Sequence, residues 1–264
     1  MPRLALGIEY DGSAFAGWQC QSHARTVQGD LQAALAQVAD HPVELTAAGR
    51  TDAGVHALEM VAHFDTVADR PLHGWVLGTN ANAPVEISVL WAQPVADDFH
   101  ARHRALARRY LYRILDRRVR SALERDRVSW TRHPLDPQRM HEAAQALVGE
   151  HDFSSFQDSE CQSPTPVRNM MSIAVARHGP YVDIEVRANA FLHHMVRNIA
   201  GSLMLVGRGE RTVDWLAGVL RCRDRREAGP TAPPQGLYFV GADYPDGCGL
   251  PSGKLRRPPM GAAL

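Results

Sequence analysis

The chain has 264 residues, of which 45% are hydrophobic and 22% charged, as in an ordinary soluble globular protein. This composition excludes a disordered chain, and no run of about 18 apolar residues predicts a membrane span. The first ten residues include Glu9 and no long apolar segment, so we expect no secretory signal. Four widely separated cysteines without a C-x-x-C pair suit a reducing compartment. We therefore expect a cytoplasmic protein without membrane association.

Charge is distributed unevenly, although 29 Lys and Arg balance 29 Asp and Glu. Residues 1–99 carry 4 basic and 12 acidic side chains, a net charge of −8, whereas residues 100–127 carry 10 Arg and 3 acids, a net charge of +7. This arginine band, residues 100–127, is typical of a phosphate-binding surface. A solvated charged face produces the same pattern, and charge alone does not separate the two.

The first half of the chain predicts strands and helices in alternation. Apolar alternation predicts a strand over 4–10 that ends in a turn at Asp11-Gly12. Helical spacing after Thr26 predicts a helix over 27–38 with Thr26 as its N-cap. Three further strands are expected over 43–48, around 60–64 and over 85–91, with a weak helix near 71–78.

The second half repeats this mixture. Asp136-Pro137 predicts a helix start and Gly149 its C-cap, and an apolar helix is expected over 190–206 with Gly207 at its end. The other elements expected here are a strand over 107–115, a hairpin of 173–177 with 181–187, a short helix from Thr212 and a strand over 237–242. We therefore predict an α+β fold with halves at 1–105 and 106–245 and a Pro- and Gly-rich tail at 246–264.

The loop Gly49–His56 is the most unusual segment (Gly-Arg-Thr-Asp-Ala-Gly-Val-His). Its two glycines permit close backbone approach and positive φ. Arg50 and Asp52 are two residues apart, so in an extended chain their side chains point to the same side. An Asx turn explains the Asp-Ala-Gly pattern equally well. The pairing of Asp52 with His56 is a weak hydrolase signal, because no nucleophile loop accompanies it.

A helix and a strand in the second half carry unusual polar residues. Arg197 lies on an apolar helix, so we expect it to be partly buried and to need a carboxylate or phosphate, unless it forms a structural ion pair. Adjacent residues of a helix, such as His193 and His194, chelate poorly, so we predict no metal site. The strand 108–113 (Arg-Arg-Tyr-Leu-Tyr-Arg) interleaves basic and aromatic residues as RNA-binding sheets do, although a strand with one core tyrosine also fits.

Together these segments resemble the TruA family of tRNA pseudouridine synthases. The most specific match is Gly-Arg-Thr-Asp-Ala-Gly-Val-His-Ala at 49–57, and the order of motifs holds over roughly 3–245. Supporting matches are Tyr-Asp-Gly-x-x-Phe-x-Gly-Trp-Gln at 10–19, Ala-Arg-Arg-Tyr-x-Tyr at 107–112 and Asn-Ala-Phe-x-His-His-Met-Val-Arg-Asn at 189–198.

The resemblance implies an isomerase that converts uridines 38, 39 and 40 of the tRNA anticodon stem-loop to pseudouridine, with no cofactor and no metal. It also implies a homodimer that binds one tRNA across both subunits in a basic cleft. From the resemblance we also predict the fold: two similar RRM- or ferredoxin-like halves that form a mostly antiparallel sheet flanked by helices, with a central basic cleft.

The resemblance also implies roles for individual residues. The catalytic nucleophile falls on Asp52, the substrate-contacting tyrosine on Tyr110, the arginine that pairs with the aspartate on Arg197, and the base-flipping arginine on Arg50. From the basic strand we add Arg108 and Arg109 as RNA-binding residues. A carboxylate acts either as nucleophile on C6 or C1′ or as base on C2′, and the sequence does not choose among these.

Two other interpretations stay open. The first is a non-catalytic RNA-binding protein of paired RRM-like sheets, which leaves the Gly49–His56 loop and Arg197 without a role. The second is a metal-dependent phosphodiesterase or hydrolase that uses Asp52, His56 and His63. This second interpretation lacks the acidic ligand cluster that such sites need.

Overall fold

The computed structural model describes residues 1–159, 161 and 163–251, so most of the predicted tail lies outside the described residues. Within them the fold is α+β with mostly antiparallel strand pairs, as predicted. Contacts divide the chain into two compact units, one of residues 1–106 with the described chain from 238 onward and one of residues 107–237. No helix of the described chain is both long enough and apolar enough to cross a bilayer.

The helices and strands alternate irregularly along the chain. In order they are β1 (Arg3–Tyr10), α1 (Val27–Ala39), β2 (Thr46–Ala47), β3 (His56–Asp65), α2 (Leu72–Asn82), β4 (Ile87–Val95), β5 (Ala107–Asp116), β6 (Ser129–Thr131), α3 (Pro137–Ala144), β7 (Gly149–Asp152), β8 (Val167–His178), β9 (Tyr181–Ala188), α4 (Met195–Gly207), α5 (Trp215–Cys222) and β10 (Leu237–Asp243).

The first unit is built on β1, which lies between β4 and β3 and is antiparallel to both. β2 pairs with the antiparallel β3, and β10 joins β3 in parallel through Tyr238 and Phe239, although it comes from the end of the chain. The predicted N-cap of α1 is confirmed, because the Thr26 side chain accepts the N–H of Gly29. The start of β3 therefore lies between strands at the middle of this unit.

The second unit has the antiparallel strand order β5-β9-β8-β7, with the short β6 parallel to β5. The predicted start of α3 is confirmed, because the Asp136 carboxylate accepts the N–H groups of Gln138 and Arg139. At its centre Arg113 of β5 faces Asp183 of β9, and both are buried. This pair shows that one arginine of the predicted band is a core residue.

Two element ends differ from the prediction. The helix expected from 190 begins only at Met195, because His194 has a left-handed backbone with a φ of 59°. Gly149 is not the C-cap of α3, which ends at Ala144 and continues as a 3-10 turn; Gly149 instead opens β7 with a φ of 107°. In both places a single residue of positive φ redirects the chain.

The strand expected over 43–48 is only two residues long. The side chains of Gln28 and Gln32 bond the backbone of Leu45. Gln28 Nε2 donates to the Leu45 carbonyl at 3.0 Å, and the Leu45 N–H donates to Gln32 Oε1 at 3.1 Å. These amides satisfy backbone groups that a strand neighbour would otherwise bond. Strand pairing is therefore confined to Thr46 and Ala47, and the apolar alternation over 43–45 reflects burial alone.

Candidate functional site

Asp52 lies on the loop between β2 and β3 and is half-buried. The peptides on both sides of it are fixed, since Trp18 N–H donates to the Thr51 carbonyl at 3.0 Å and Val55 N–H donates to the Asp52 carbonyl at 3.2 Å. Gly54 N–H also donates to the Phe15 carbonyl at 3.4 Å. The carboxylate therefore stands on a backbone with little freedom to move.

Two glycines of the motif at 10–19 bring a second backbone against this loop. A Cβ at Gly12 would lie 1.9 Å from the carbonyl oxygen of Val55, and one at Gly17 would lie 2.7 Å from that of Thr51. Gly17 also has a φ of 99°, which disfavours any other residue. Glycine is therefore required at both positions, because a side chain would collide with the backbone of the Asp52 loop.

His56 ends the loop in a buried position at the start of β3. Its ring stacks on Tyr238 with centroids 4.8 Å apart. Its Nδ1 lies 3.1 Å from Gly12 N–H and 3.3 Å from the Asp11 carboxylate, and it cannot accept from one and donate to the other at once. The amide is a permanent donor, so we take Nδ1 as its acceptor in the neutral ring. The Asp11 carboxylate has donors of its own, since the Ser13 hydroxyl and N–H donate to its Oδ1 at 2.7 and 3.1 Å.

His63 is a second buried histidine of the first unit. Its Nδ1 accepts the N–H of Ala101 at 3.2 Å. Burial first, and then the positive charge of Arg3, lower its pKa to about 4. The two histidines of the hydrolase interpretation are therefore both bonded into the fold through Nδ1, which counts against that interpretation.

Arg50 occupies the exposed start of the same loop, two residues before the half-buried Asp52. A long flexible cation at the surface and a fixed carboxylate behind it are thus carried by one short segment. This is the part of the predicted site that lies in the first unit. The other predicted residues, Tyr110, Arg197, Arg108 and Arg109, lie in the second unit.

The two tyrosines of β5 have different environments. Tyr112 is fully buried, its hydroxyl donates to the Pro233 carbonyl at 2.8 Å, and burial raises its pKa. Tyr110 is half-buried, and its ring meets the edge of Phe191 with centroids 5.0 Å apart. Of the two, Tyr112 is a core residue, and Tyr110 keeps part of its surface open to solvent.

The arginines of β5 are also of two kinds. Arg108 and Arg109 are half-buried, and Arg108 donates to the Asn189 carbonyl at 2.9 Å. Arg113 is buried and bonds both carboxylate oxygens of Asp183, at 2.9 and 2.8 Å. The expectation that the whole arginine band binds phosphate is wrong for Arg113, because its charge is already matched inside the core.

Arg197 lies in the first turn of α4 and is partly buried, as predicted. Its Nε donates to the Ala232 carbonyl at 2.8 Å, and its own carbonyl accepts the N–H of Ala232 at 3.1 Å. One turn later, a Cβ at Gly201 would lie 1.8 Å from the Pro230 carbonyl oxygen. The segment at 230–232 therefore packs directly on α4 and holds the Arg197 side chain at Nε.

His193 and His194 precede α4 and do not lie on it, so the helical argument about their directions was wrong. Their rings stack with centroids 3.9 Å apart, and both Nδ1 atoms face the Asp158 carboxylate, at 3.5 Å and 2.8 Å respectively. Sequence reasoning did not find Asp158. The only sequence signal was the histidine pair itself, whose partner comes from a loop more than 30 residues away.

Comparison with known proteins decides the family. A family model described as tRNA pseudouridine synthase matches residues 7–103 and 143–245. The chain belongs to the tRNA pseudouridine synthase family. It is therefore an enzyme, an isomerase that acts on tRNA. The matched ranges contain Arg50, Asp52 and Arg197, whereas the strand with Tyr110 falls between them.

Individual members of the tRNA pseudouridine synthase family match over nearly the full length. A protein of Coxiella burnetii (strain Dugway 5J108-111) named tRNA pseudouridine synthase A is 55% identical over 261 residues, which is 99% of this chain and 98% of that protein. One of Xanthomonas campestris pv. campestris (strain B100) with the same name is 56% identical over 252 residues, covering 95% and 98%. These alignments include the residues between the two ranges of the family model.

Proposed function

We propose that this chain converts uridines 38, 39 and 40 of the tRNA anticodon stem-loop to pseudouridine, with Asp52 as nucleophile and with no cofactor or metal. The observation that carries the proposal is the fixed backbone on both sides of Asp52, on a loop inside the matched family segment. A carboxylate held in one place and open to solvent on one side is suited to covalent chemistry on a bound nucleoside.

The reaction exchanges one bond to the ribose for another. The bond between N1 of uracil and C1′ breaks, the base turns, C5 bonds to C1′, the proton on C5 leaves, and N1 takes up a proton, so the product is an isomer of the substrate. The Asp52 carboxylate is both a nucleophile and a leaving group, so it can form and release a covalent intermediate. Attack on C1′ and attack on C6 both use it in this way, and proton removal from C2′ uses it as a base.

The other predicted residues have roles that fit their positions. Arg50, exposed beside Asp52, occupies the space of the flipped base, which leaves its stack at a cost of a few kcal/mol. Tyr110 contacts the uracil ring and assists removal of the C5 proton, and Arg197 belongs to the uridine-binding site. Arg108 and Arg109 bind phosphates of the RNA backbone.

At the level of assembly, we propose a cytoplasmic homodimer that binds one tRNA across both subunits in a basic cleft. The halves at 1–105 and 106–245 each supply an RRM-like body, the first with the catalytic loop and the second with the RNA-binding strand, while β10 from the end of the second half joins the first body. The tail at 246–264 has no role in this proposal. The net charge of +7 over residues 100–127 supports RNA binding by the second half.

The test is to incubate the protein with a pre-folded tRNA transcript, with and without chelator, and to map pseudouridine at single-nucleotide resolution. We expect pseudouridine at positions 38 to 40 in both samples. Binding without modification would instead favour the RNA-binding protein. Both samples contain enough monovalent salt to keep the tRNA folded, so activity that is lost in chelator and restored by a divalent ion would contradict the metal-free mechanism.

A further inference from the structure

A hydrogen bond of 2.7 Å joins the Tyr10 hydroxyl to Thr51 Oγ1, next to Asp52. Both residues are buried, with 3% and 7% of their surfaces exposed. Tyr10 is the last residue of β1, so the phenol is anchored at the end of a paired strand. Its ring also contacts that of Trp18, with centroids 5.9 Å apart. Two residues in mutual contact therefore hold Thr51: Tyr10 bonds the Thr51 side chain, and Trp18 N–H donates to the Thr51 carbonyl.

Holding Thr51 at both points restricts rotation about one backbone bond. The bond at Thr51 Oγ1 restrains the Thr51 side chain and its Cα, and the bond at the Thr51 carbonyl restrains the peptide between Thr51 and Asp52. With both held, rotation about the Thr51 Cα–C bond is restricted, and this torsion, together with φ of Asp52, sets the direction of the Asp52 Cβ. The next carbonyl, that of Asp52, is fixed by Val55 N–H.

We propose that the Tyr10–Thr51 hydrogen bond is a positioning device that aims the Asp52 carboxylate at the bound nucleoside. This inference rests on the proposed role of Asp52, and it assigns Tyr10 and Thr51 as positioning residues that do not touch substrate. Without the bond, Trp18 still holds the Thr51 carbonyl, but the Thr51 side chain and its Cα regain freedom. A carboxylate displaced by about 1 Å loses up to about a hundredfold in rate.

The proposal predicts a loss in turnover and not in binding. Tyr10→Phe removes one hydroxyl and keeps the ring, and Thr51→Val replaces the other hydroxyl by a methyl of similar size. Each variant should lower kcat by about tenfold or more, with KM for tRNA changed less than about threefold, because the bond orients a reacting group. Thr51→Ser keeps the hydroxyl and should restore kcat to within about threefold of the parent.

Two further variants separate positioning from general stability. Tyr10→Phe combined with Thr51→Val should cost no more than either change alone, because both remove the same bond. Tyr244→Phe is the matched control, since the hydroxyl of Tyr244, in the same unit, is likewise hydrogen-bonded: it donates to the Ala101 carbonyl at 2.6 Å. That variant loses a similar bond away from the Asp52 loop, and its kcat should stay unchanged.

The measurement is steady-state release of tritium from C5-labelled uridine over a range of tRNA concentrations, which gives kcat and KM, at a temperature where thermal melts show every variant to be folded. Asp52→Asn is included in the same panel. If Asp52→Asn is inactive while Tyr10→Phe and Thr51→Val turn over at the parental rate, positioning is overturned and the proposed function stands. If Asp52→Asn is active, both are overturned. Equal losses in Thr51→Ser and Thr51→Val would also contradict the proposal. Should Thr51→Val fail to fold, Tyr10→Phe decides.

Discussion

The residues near the Asp52 loop are of two kinds: those proposed to contact the substrate, and those that keep the loop in its conformation. Asp52 and Arg50 reach solvent, whereas Tyr10, Thr51 and His56 are buried and bonded to neighbouring backbone or side chains. A buried polar group is costly unless it is hydrogen-bonded, so these bonds also keep the loop in one conformation. Histidines are the residue type that the sequence most readily suggests as catalytic, but His56 here has a structural role, because it is buried and hydrogen-bonded to the backbone.

The buried His63 makes the stability of the folded protein depend on pH. Its pKa is about 4 in the folded protein, below the ordinary value of 6.5, so between these values the unfolded chain binds a proton that the folded chain does not. Stability contributed by this group is present above pH 6.5 and is lost as the pH falls toward 4. The effect across this window amounts to at most about 3 kcal/mol.

We predict that the midpoint of thermal unfolding falls more steeply with acid in the parent than in His63→Gln, which keeps a hydrogen-bond acceptor but does not titrate in this range. His23→Gln changes an exposed histidine of the same unit and serves as the control, with the parental pH dependence expected. Parallel curves for the parent and His63→Gln between pH 7 and pH 4 would show that His63 carries no such linkage.

At the scale of one element, β5 carries both structural and proposed RNA-binding arginines. Arg113 is matched by Asp183 in the core, and replacing it would leave a buried carboxylate without its partner. Arg108 and Arg109 lie near the start of the strand and keep part of their surface open to solvent. Position along the strand, and not residue type, separates the two kinds.

Replacing both Arg108 and Arg109 with Gln should weaken tRNA binding and flatten its salt dependence. Each phosphate contact that is lost lowers the slope of log affinity against log salt by about 0.7 to 0.9, so the pair should lower it by about 1.5. Filter binding or fluorescence anisotropy from low to moderate salt measures this slope. Arg70→Gln, an exposed arginine outside the band, should leave it unchanged. A parental slope in the double variant would make the two arginines ordinary surface residues.

Elements were predictable from sequence where the signal is local. The N-caps Thr26 and Asp136 and the apolar periods of β1, α1 and β3 depend on neighbours within a few residues. The late start of α4 was not predictable, because it depends on the left-handed backbone of His194, whose ring bonds the distant Asp158. The predicted length of β2 was wrong for a similar reason, since the side-chain amides of Gln28 and Gln32, and not a neighbouring strand, bond the backbone of Leu45.

In the candidate site, too, some features were predictable from local sequence and others depended on distant contacts. A loop between two glycines marked Arg50 and Asp52 from the sequence alone, because unusual backbone needs unusual residues. The motif at 10–19 was visible only as a resemblance, and its purpose required the contacts of Gly12 and Gly17 with the loop. The separation of Tyr110 from Tyr112 also needed the structure, since two residues of one strand face share a pattern and differ in what covers them.

At the scale of the whole molecule, the sequence balances 29 basic against 29 acidic side chains while concentrating positive charge in residues 100–127. A chain without net charge gains no overall attraction to RNA, so a local basic surface has to provide it. The proposed enzyme thus keeps its carboxylate in an acidic half and its proposed phosphate contacts in a basic stretch. Charge on the RNA-binding surface and chemistry at Asp52 are therefore separable by mutation.

The most direct test of the account is the turnover of Asp52→Asn on tRNA. The variant is nearly isosteric, so we predict a folded dimer that binds tRNA like the parent and forms no detectable pseudouridine. Single-turnover tritium release should fall by at least about a thousandfold, because the amide is no nucleophile and no leaving group. Turnover within tenfold of the parent, on protein shown to be folded, would contradict the central claim that Asp52 carries the reaction.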